Sequence, residues 1–436
     1  MNQSIVLKQF CRYTFFGVLG MLGLSAYIIA DTFFVSKGLG TKGLTALNLA
    51  IPVYSFIHGT GLLLGIGGAT KYAIYKGQKN KKQMNIIFTN TFYSMIFFGL
   101  LFMLVGFWLS KRLCLFLGAD HTVLHMTNTY VKVLLLFSPA FLLNNILICF
   151  IRNDGKPQLS MAAMLLSSFS NIILDYIFMF PLQMGVFGAV FATVLAPVFS
   201  ILLLLFYCFS KKTEFCIIKE KINLNSLKWV FLMGFPSFVV QLSSGIIMIA
   251  FNKVILGLQG NVGVAAYGVV ANLSLVMVAV FSGMEQGVQP LFSQYYGKKE
   301  YDNIRKVLKY ALVMVLICSF MIYGMTFCFA ETIVQIFNSE NNLQMKQIAV
   351  SGLKLYFTAT LFVGFNTVLS IFFTSTEKVV SAHIISLLRG LIVILPMILL
   401  LSVLWKMVGV WLSYPVTEGL VFILAILLFC KHKENP

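Results

Sequence analysis

Long apolar stretches alternate with short polar loops from one end of this chain to the other. Each stretch, coiled as a helix rising about 1.5 Å per residue, is long enough to cross roughly 30 Å of hydrocarbon. We predict twelve spans, with limits 12–36, 44–72, 84–109, 122–150, 157–181, 185–209, 227–258, 262–295, 307–330, 346–373, 379–404 and 407–430. An even number of spans places both chain ends on the same side of the membrane.

The composition supports this assignment. Of the 436 residues, 59% are hydrophobic and 11% charged, and the mean hydropathy is +0.90, whereas soluble domains carry about 25% charged residues. We therefore expect an all-α polytopic membrane protein whose surroundings are the lipid bilayer. The net charge of +18 does not indicate nucleic-acid binding, because the basic residues lie in short loops between spans.

The distribution of Lys and Arg over the loops predicts the orientation. Loops on the side of the two chain ends carry 21 of these residues, and loops on the opposite side carry 6. Since positively charged loops stay in the cytoplasm, both termini are expected to be cytoplasmic. We expect a multi-pass protein of the cell (plasma) membrane.

The longest hydrophilic loop divides the chain into two halves. It covers residues 210–226, so we predict an N-terminal six-helix bundle over 1–209, a cytoplasmic linker over 210–226 and a C-terminal six-helix bundle over 227–436.

The halves resemble repeats, because matched residues recur at a nearly constant spacing. The interval from Gly67 to Gly287 equals that from Gly77 to Gly297. A slightly longer interval separates Gly185 from Gly409 and, equally, Thr193 from Thr417. Two pseudo-symmetric parallel bundles with a central cleft between them follow from this pattern.

A layer of polar side chains is predicted in the N-terminal half. Asp31, Asp175 and Thr193 lie roughly 7, 9 and 12 Å below the outer ends of spans one, five and six, and Asn171 lies one helical turn from Asp175. An intramembrane carboxylate costs about 2.5–3.5 kcal/mol on insertion scales. Because two carboxylates in a dry site do not both ionise freely, one H⁺ or one Na⁺ is the expected occupant. A hydrogen-bond network that only holds the helices together is the alternative.

Three further charged residues fall within spans of either half. Arg389 and Glu418 are predicted near the midplane, either as a buried ion pair or as contacts for substrate. Lys132 lies within span four, where it is expected to face the cleft. The glycines Gly61 and Gly65 form a GxxxG pattern that favours close helix packing.

Glu285 is the fourth intramembrane acid. It lies between Gly283 and Gly287 in the segment FSGMEQGVQP, for which we predict a bent or unwound backbone. A carboxylate there would meet a cationic substrate or pair with Arg389. Both interpretations stay open at this point.

Other chemistries lack their sequence patterns. His121 and His125 are four residues apart, but no third ligand accompanies them, and the eight cysteines form no CxxC motif. We therefore expect no metal site and no cofactor. No phosphate-binding glycine-rich motif occurs, so ATP does not power the protein directly. We predict a protein that is not an enzyme.

Four segments resemble the multidrug and toxic compound extrusion (MATE) family, of the bacterial type. They are 30–53, 152–193, 283–299 and 386–418, and they occur in both halves of the chain. The resemblance implies twelve helices in two bundles around a V-shaped cleft and cation-driven export of organic compounds. We expect the protein to work as a monomer.

The resemblance also implies functional residues. The cation site of the family maps onto Asp31, Asn171, Asp175 and Thr193, with Tyr130 and Asn145 as further polar positions. Some family members place the coupling acid in the C-terminal half, which keeps Glu285 and Glu418 as candidates.

The expected function is therefore secondary active multidrug export, an antiport of amphipathic cationic compounds against H⁺ or Na⁺. The main alternative is a flippase for lipid-linked oligosaccharides or lipids from the same superfamily. A flippase needs a strongly basic cleft for pyrophosphate, whereas the predicted layer is acidic. A membrane-embedded enzyme would need a metal or nucleophile cluster, and a receptor would normally carry a large soluble domain. The loop between spans two and three does not match that of major-facilitator transporters.

Overall fold

The computed structural model describes residues 2–210, 213–338 and 342–433. Across these ranges the regular secondary structure is helical. The helices are α1 (Asn2–Gly77), α2 (Lys81–Trp108), α3 (Ser110–Phe116), α4 (Leu124–Leu136), α5 (Ser138–Asn153), α6 (Pro157–Met179), α7 (Gly185–Phe209), α8 (Leu224–Gly297), α9 (Tyr301–Cys328), α10 (Ala330–Phe337), α11 (Leu343–Tyr356), α12 (Thr360–Ser375), α13 (Val379–Leu387) and α14 (Ile394–Lys433). A 3₁₀ turn joins α11 to α12, and a π-helical turn lies between α13 and α14. The all-α polytopic fold class is confirmed.

Three continuous helical stretches are in fact pairs of spans. The helix α1 breaks at Gly40 and α8 breaks at Gly260, where φ is 64° and 60°. The third stretch, Val379–His432, comprises α13, the π-helical turn and α14 and breaks at Trp405 and Lys406. Eight stretches in the described part of the chain are long and apolar enough to cross a membrane, or nine if the bent pair α4 and α5 forms one span. Dividing three of them at their breaks gives the twelve predicted spans.

The backbone repeats between the halves. Positive φ angles recur in matched pairs, and the interval from Gly40 to Gly260 equals that from Lys79 to Lys299 and that from Gly67 to Gly287. Two further pairs have slightly longer intervals, Gly155 with Glu377 and Gln183 with Lys406. The two halves therefore repeat each other in turn geometry as well as in glycine positions.

The halves meet where α1 packs against α8, at glycines that let the backbones touch. A Cβ on Gly17 would lie 2.3 Å from the Gly283 carbonyl oxygen, and a Cβ on Gly234 would lie 1.9 Å from the Leu63 carbonyl oxygen. The predicted unwinding around Glu285 is wrong, because within α8 the φ/ψ angles are non-helical only at Gly260. The glycines beside Glu285 serve close packing instead.

The linker lies against the N-terminal half. The Phe215 ring packs among Tyr72, Phe88 and Phe150, and the backbone N–H groups of three linker residues donate to α2 side chains (Cys216 to Asn85, Ile218 to Thr89, Asn223 to Asn90). The helix α8 begins at Leu224, three residues before the predicted limit. Lys211 and Lys212, two of the basic loop residues on the side of the chain ends, lie outside the described residues. The division into two bundles with this linker stays a prediction.

Candidate cation and substrate sites

Two carboxylates from different helices meet inside the N-terminal half. Asp31 on α1 and Asp175 on α6 lie close enough to interact directly. Asp175 is 0% exposed and Asp31 8% exposed. Apart from their contact with each other, Asp31 Oδ1 and both carboxyl oxygens of Asp175 have no hydrogen-bond partner among the described residues. Buried polar atoms in proteins are nearly always paired, so these oxygens mark a place where a further group is expected to bind.

Three more predicted side chains belong to this layer. Asn171 is 1% exposed, and neither its amide oxygen nor its amide nitrogen has a partner in the described part of the chain. Tyr130 on α4 lies beside Asp31, Asp175 and Thr193. Thr193 on α7 donates its hydroxyl to the Ala189 carbonyl oxygen at 3.1 Å. We name these five residues the N-half acid layer, and the structure brings all five together.

The donor set of this layer fits a small hard cation or a proton. The unpartnered atoms of Asp31, Asp175 and Asn171 include four oxygens, and carboxylate and amide oxygens are the ligands that hard cations prefer. No group of three or more His, Cys, Asp or Glu side chains able to hold a metal occurs within the described ranges. A single monovalent ion or proton therefore suits the site better than a transition metal.

A cavity of about 290 Å³ lies between the two halves. Polar residues line it from both sides: Tyr27, Tyr54, His58, Asn144, Asn145, Asn171 and Thr193 from the N-terminal half, and Gln241, Ser244, Glu285, Gln286, Thr367 and Arg389 from the C-terminal half. Asn171 and Thr193 also belong to the N-half acid layer. The cavity and the acid layer thus share part of their walls.

Arg389 and Glu418 form a buried ion pair in the C-terminal half. Arg389 Nη2 and Nε lie 3.0 and 3.1 Å from Glu418 Oε1. Asn366 Nδ2 donates to Glu418 Oε2 at 2.7 Å, and Arg389 Nη1 donates to Thr367 Oγ1 at 2.9 Å. Glu418 is 1% exposed and does not line the described cavity, whereas Arg389 does. Of the two interpretations of Arg389 and Glu418, the geometry therefore fits the buried ion pair.

Glu285 lines the cavity without an ion pair. No Lys, Arg or His nitrogen among the described residues lies within 4.0 Å of its carboxylate, and Arg389 and Arg152 act on its charge from farther away. Arg152 is 3% exposed and donates through Nε to Ser160 Oγ at 3.3 Å. Glu285 is the one acid among the described residues that line the cavity, and it is held in no ion pair, although the cations Arg389 and Arg152 act on its charge.

Two residues differ from their predicted positions, which are the substrate cleft for Lys132 and the cation site for Asn145. Lys132 is not among the residues that line the cavity, and its Nζ lies 5.5 Å from the centroid of the Phe107 ring. Asn145 lines the cavity, but its side chain bonds to His58 and to the Phe141 carbonyl oxygen. Its assignment to the cation site stays a prediction.

Sequence reasoning missed several cavity residues. Tyr27 and Tyr54 share a hydrogen bond of 2.8 Å between their hydroxyls, and the His58 ring is stacked on Tyr54. A usable signal was present, because Tyr27 precedes Asp31 by four residues and Tyr54 precedes His58 by four. Four residues apart on a helix means one face. These polar faces are visible in the sequence, but nothing in it shows that they meet.

One family model and several known proteins match this chain in sequence over most of its length. The sequence model of the MatE family matches residues 18–177 and 236–400. The multidrug export protein MepA of Staphylococcus aureus strain MRSA252 is 27% identical over 434 residues, which cover 98% of this chain and 94% of that protein. MepA of Staphylococcus saprophyticus is 25% identical over 430 residues, with the same coverage.

Solved structures share the fold. A multidrug resistance MATE family transporter of the MOP superfamily in an outward-facing conformation superposes with a TM-score of 0.91 at 23% identity, covering 97% of this chain and 94% of that one. A MOP superfamily transporter from Pyrococcus furiosus, described as having a binding pocket of reverse polarity, gives a TM-score of 0.90 at 24% identity with the same coverage. At these identities the likeness concerns the fold.

Proposed function

This chain belongs to the MatE family, and from that premise we propose that it is a cation-coupled antiporter that exports amphipathic organic cations. As a member of this family it is a multi-pass membrane transporter and not an enzyme. Its staphylococcal relatives are named multidrug export proteins, which supports several small organic compounds as substrates. The bacterial relatives support the plasma membrane as its location, and the loop charges support cytoplasmic termini.

The observation that carries the proposal is the set of unpartnered atoms in the N-half acid layer. Asp31, Asp175 and Asn171 are buried, with polar atoms that lack hydrogen-bond partners among the described residues. A purely structural network would pair these groups, because an unpaired buried polar group costs about 1–3 kcal/mol. Reversible binding of one H⁺ or Na⁺ accounts for buried polar atoms that have no hydrogen-bond partner in the described part of the chain.

Coupling follows from the helices that carry the layer. Asp31 is on the first part of α1, which also packs against α8 of the other half through Gly17. A cation bound between Asp31 and Asp175 draws α1 toward α6. Since α1 spans from the acid layer to the contact between the halves, its displacement changes how the halves pack. The membrane potential adds about 2.3 kcal/mol per net charge per 100 mV.

The charges of the central cavity favour a cationic substrate. Glu285 lacks an ion pair there, and the positive charge of Arg389 is held by Glu418. A lipid-linked pyrophosphate would need free cationic groups, and the one Lys or Arg among the described residues of the cavity wall is Arg389, which is already paired. This arrangement favours export of organic cations over the flippase alternative.

The test is efflux of a fluorescent cationic dye from vesicles with Na⁺ and H⁺ gradients imposed separately. Dye efflux under one gradient, reduced at least roughly tenfold in Asp175→Asn, would support the proposal and identify the ion. Asp120→Asn, the same change at an exposed loop acid, serves as the matched control and should transport normally. Full gradient-driven efflux by Asp175→Asn would refute the site, and no efflux by the wild type under either gradient would favour the flippase alternative.

A further inference from the structure

His58 is a cavity residue that the coupling mechanism leaves without a role. It lies on the second part of α1, and its side chain lines the cavity between the halves. Its ring is nearly parallel to that of Tyr54, with an interplanar angle of 8° and 5.7 Å between centroids. Tyr54 in turn contacts Phe141 edge to face and shares its hydroxyl hydrogen bond with Tyr27. The two stacked rings form a fixed aromatic wall on the N-terminal side of the cavity.

The side chain of Asn145 determines which ring nitrogen of His58 carries the proton. One terminal atom of Asn145 lies 3.1 Å from the Phe141 carbonyl oxygen and 3.2 Å from His58 Nδ1. A carbonyl oxygen only accepts hydrogen bonds, so this atom is the amide NH₂ group. Its second hydrogen then points to Nδ1, which must accept. The ring is therefore neutral, with its proton on Nε2.

The position of Asn145 depends on two glycines. A Cβ on Gly61 would lie 2.7 Å from Asn145 Nδ2, and a Cβ on Gly65 would lie 3.0 Å from the Asn145 carbonyl oxygen. The absence of these side chains lets α5 approach α1 closely enough for the Asn145 amide to reach His58. The orientation of the imidazole is thus set by two glycines, an amide and a stacked ring.

The opposite edge of the imidazole is available to a ligand. Nε2 has no hydrogen-bond partner in the described part of the chain, and the ring is only partly buried. The same cavity holds the Glu285 carboxylate on its C-terminal side. One wall thus offers an aromatic surface with one N–H donor, and the other wall offers a negative charge.

We propose that His58 is a specificity-determining residue that selects planar aromatic cations carrying a hydrogen-bond acceptor. The part of the Tyr54 face that the offset imidazole leaves uncovered stacks on the aromatic plane, Nε2–H donates in the plane of the imidazole to a carbonyl or similar acceptor beside it, and Glu285 takes the positive charge. This assignment rests on the proposed function, since it concerns recognition in the same cavity. Because the donor is directional, it distinguishes substrates that stacking and charge alone treat alike.

The experiment compares two probes that differ in one acceptor, 1-methylquinolinium and 6-acetyl-1-methylquinolinium. Their equilibrium binding to purified full-length protein in detergent is measured without any ion gradient, so that coupling does not enter. We expect the wild type to bind the acetyl probe roughly five- to tenfold more tightly, as one neutral hydrogen bond provides.

Three variants test the residue. His58→Phe keeps an aromatic ring but loses the donor, so both probes should bind equally. His58→Gln keeps an N–H donor without the aromatic ring, so both probes should weaken while the preference for the acetyl probe survives. Asn145→Leu frees Nδ1 and should reduce the preference roughly two- to fivefold, an order-of-magnitude expectation for a lost orienting hydrogen bond. A variant is compared with the wild type only if its size-exclusion profile is unchanged, which shows that it is folded.

The outcomes separate this inference from the function on which it rests. An undiminished preference in His58→Phe, or equal binding of the two probes by the wild type, overturns the role of His58 and leaves the proposed function standing. Equal weakening of both probes by His58→Phe, with the preference retained, would show a merely structural residue and also overturn it. If the wild type binds neither probe, the cavity does not bind such cations, and both the role of His58 and the proposed function are overturned.

Discussion

The two halves of the molecule each contain a buried acid, and the two acids differ in whether their carboxylate oxygens are hydrogen-bonded. In the N-terminal half, both oxygens of Asp175 lack a hydrogen-bond partner among the described residues other than Asp31. In the C-terminal half, both oxygens of Glu418 are bonded, Oε1 to Arg389 and Oε2 to Asn366. Both acids are almost completely buried. Burial alone therefore does not distinguish the two acids, whereas the partners of their carboxylates do.

The same contrast appears at repeat-related positions. The interval from Asn144 to Asn366 equals the interval between the turn residues Gly155 and Glu377. Asn144 accepts from Ser200 on α7 at 2.6 Å, whereas Asn366 donates to Glu418 on α14 at 2.7 Å. The asparagine is present in both halves, and its partner differs. One half thus uses this position to join neutral groups and the other to hold a charged pair.

Removing the acid in the C-terminal half should have the largest effect on stability. Glu418→Gln leaves the buried Arg389 guanidinium without a counter-charge, which is expected to lower stability by about 3–5 kcal/mol. Thermal unfolding in detergent, followed by loss of the monodisperse size-exclusion peak, measures it. The double variant Arg389→Met with Glu418→Leu removes both charges and should recover most of the loss. A Glu418→Gln protein as stable as the wild type would contradict a structural ion pair.

The ion pair between the halves should give a smaller, conformational effect. Lys71 on α1 pairs with Glu377 in the turn between α12 and α13, and Lys71 Nζ lies 4.3 Å from the Trp229 ring centroid. Unlike the pair within one half, this pair must break when the halves separate. Glu377→Gln removes about 1 kcal/mol from the closed arrangement, since the Glu377 side chain is 25% exposed.

The measurement is the rate of thiol labelling at Gln289→Cys, in a background free of native cysteines. Gln289 is 4% exposed and bonds to Asn153 and Thr70 across the halves. A polar reagent should label it roughly fivefold faster in Glu377→Gln, as a shift of about 1 kcal/mol requires. Lys82, 75% exposed at its side chain and 3.9 Å from Glu220, offers the control Lys82→Gln, for which no change is expected. Equal labelling rates in Glu377→Gln and the unmodified protein would show that the pair does not hold the halves together.

The smallest effect on stability is expected where the transport effect is largest. Asp175→Asn removes a charge that has no bonded partner in the described ranges, so stability should stay within about 1 kcal/mol of the wild type or rise. The same unfolding assay applies, with Glu418→Gln as the destabilised reference. A loss of stability as large as that of Glu418→Gln would mean that Asp175 is a structural acid after all, and the contrast between the halves would fail.

Much of the architecture was accessible from the sequence. The limits predicted for spans five and six, 157–181 and 185–209, differ from α6 and α7 by at most two residues. The repeat was predicted from glycine spacing and recurs in the backbone turns. The predicted unwinding near Glu285 failed because a glycine permits two things, a bent backbone and close approach of another helix. Only the neighbouring chain decides between them.

The sequence by itself determined the set of spans and the existence of costly acids, because hydrophobic length and charge act locally along the chain. The orientation of the spans stays a prediction from the loop charges. The tertiary structure decided which acid has a partner and which polar faces share a cavity. Arg389 and Glu418 are 29 residues apart, and His58 and Asn145 are 87 apart. Hydrogen bonds and ion pairs reach only about 3 Å. Their presence therefore depends on how separate helices pack, and helix packing in a membrane is set by small residues and shape rather than by hydrophobic pattern.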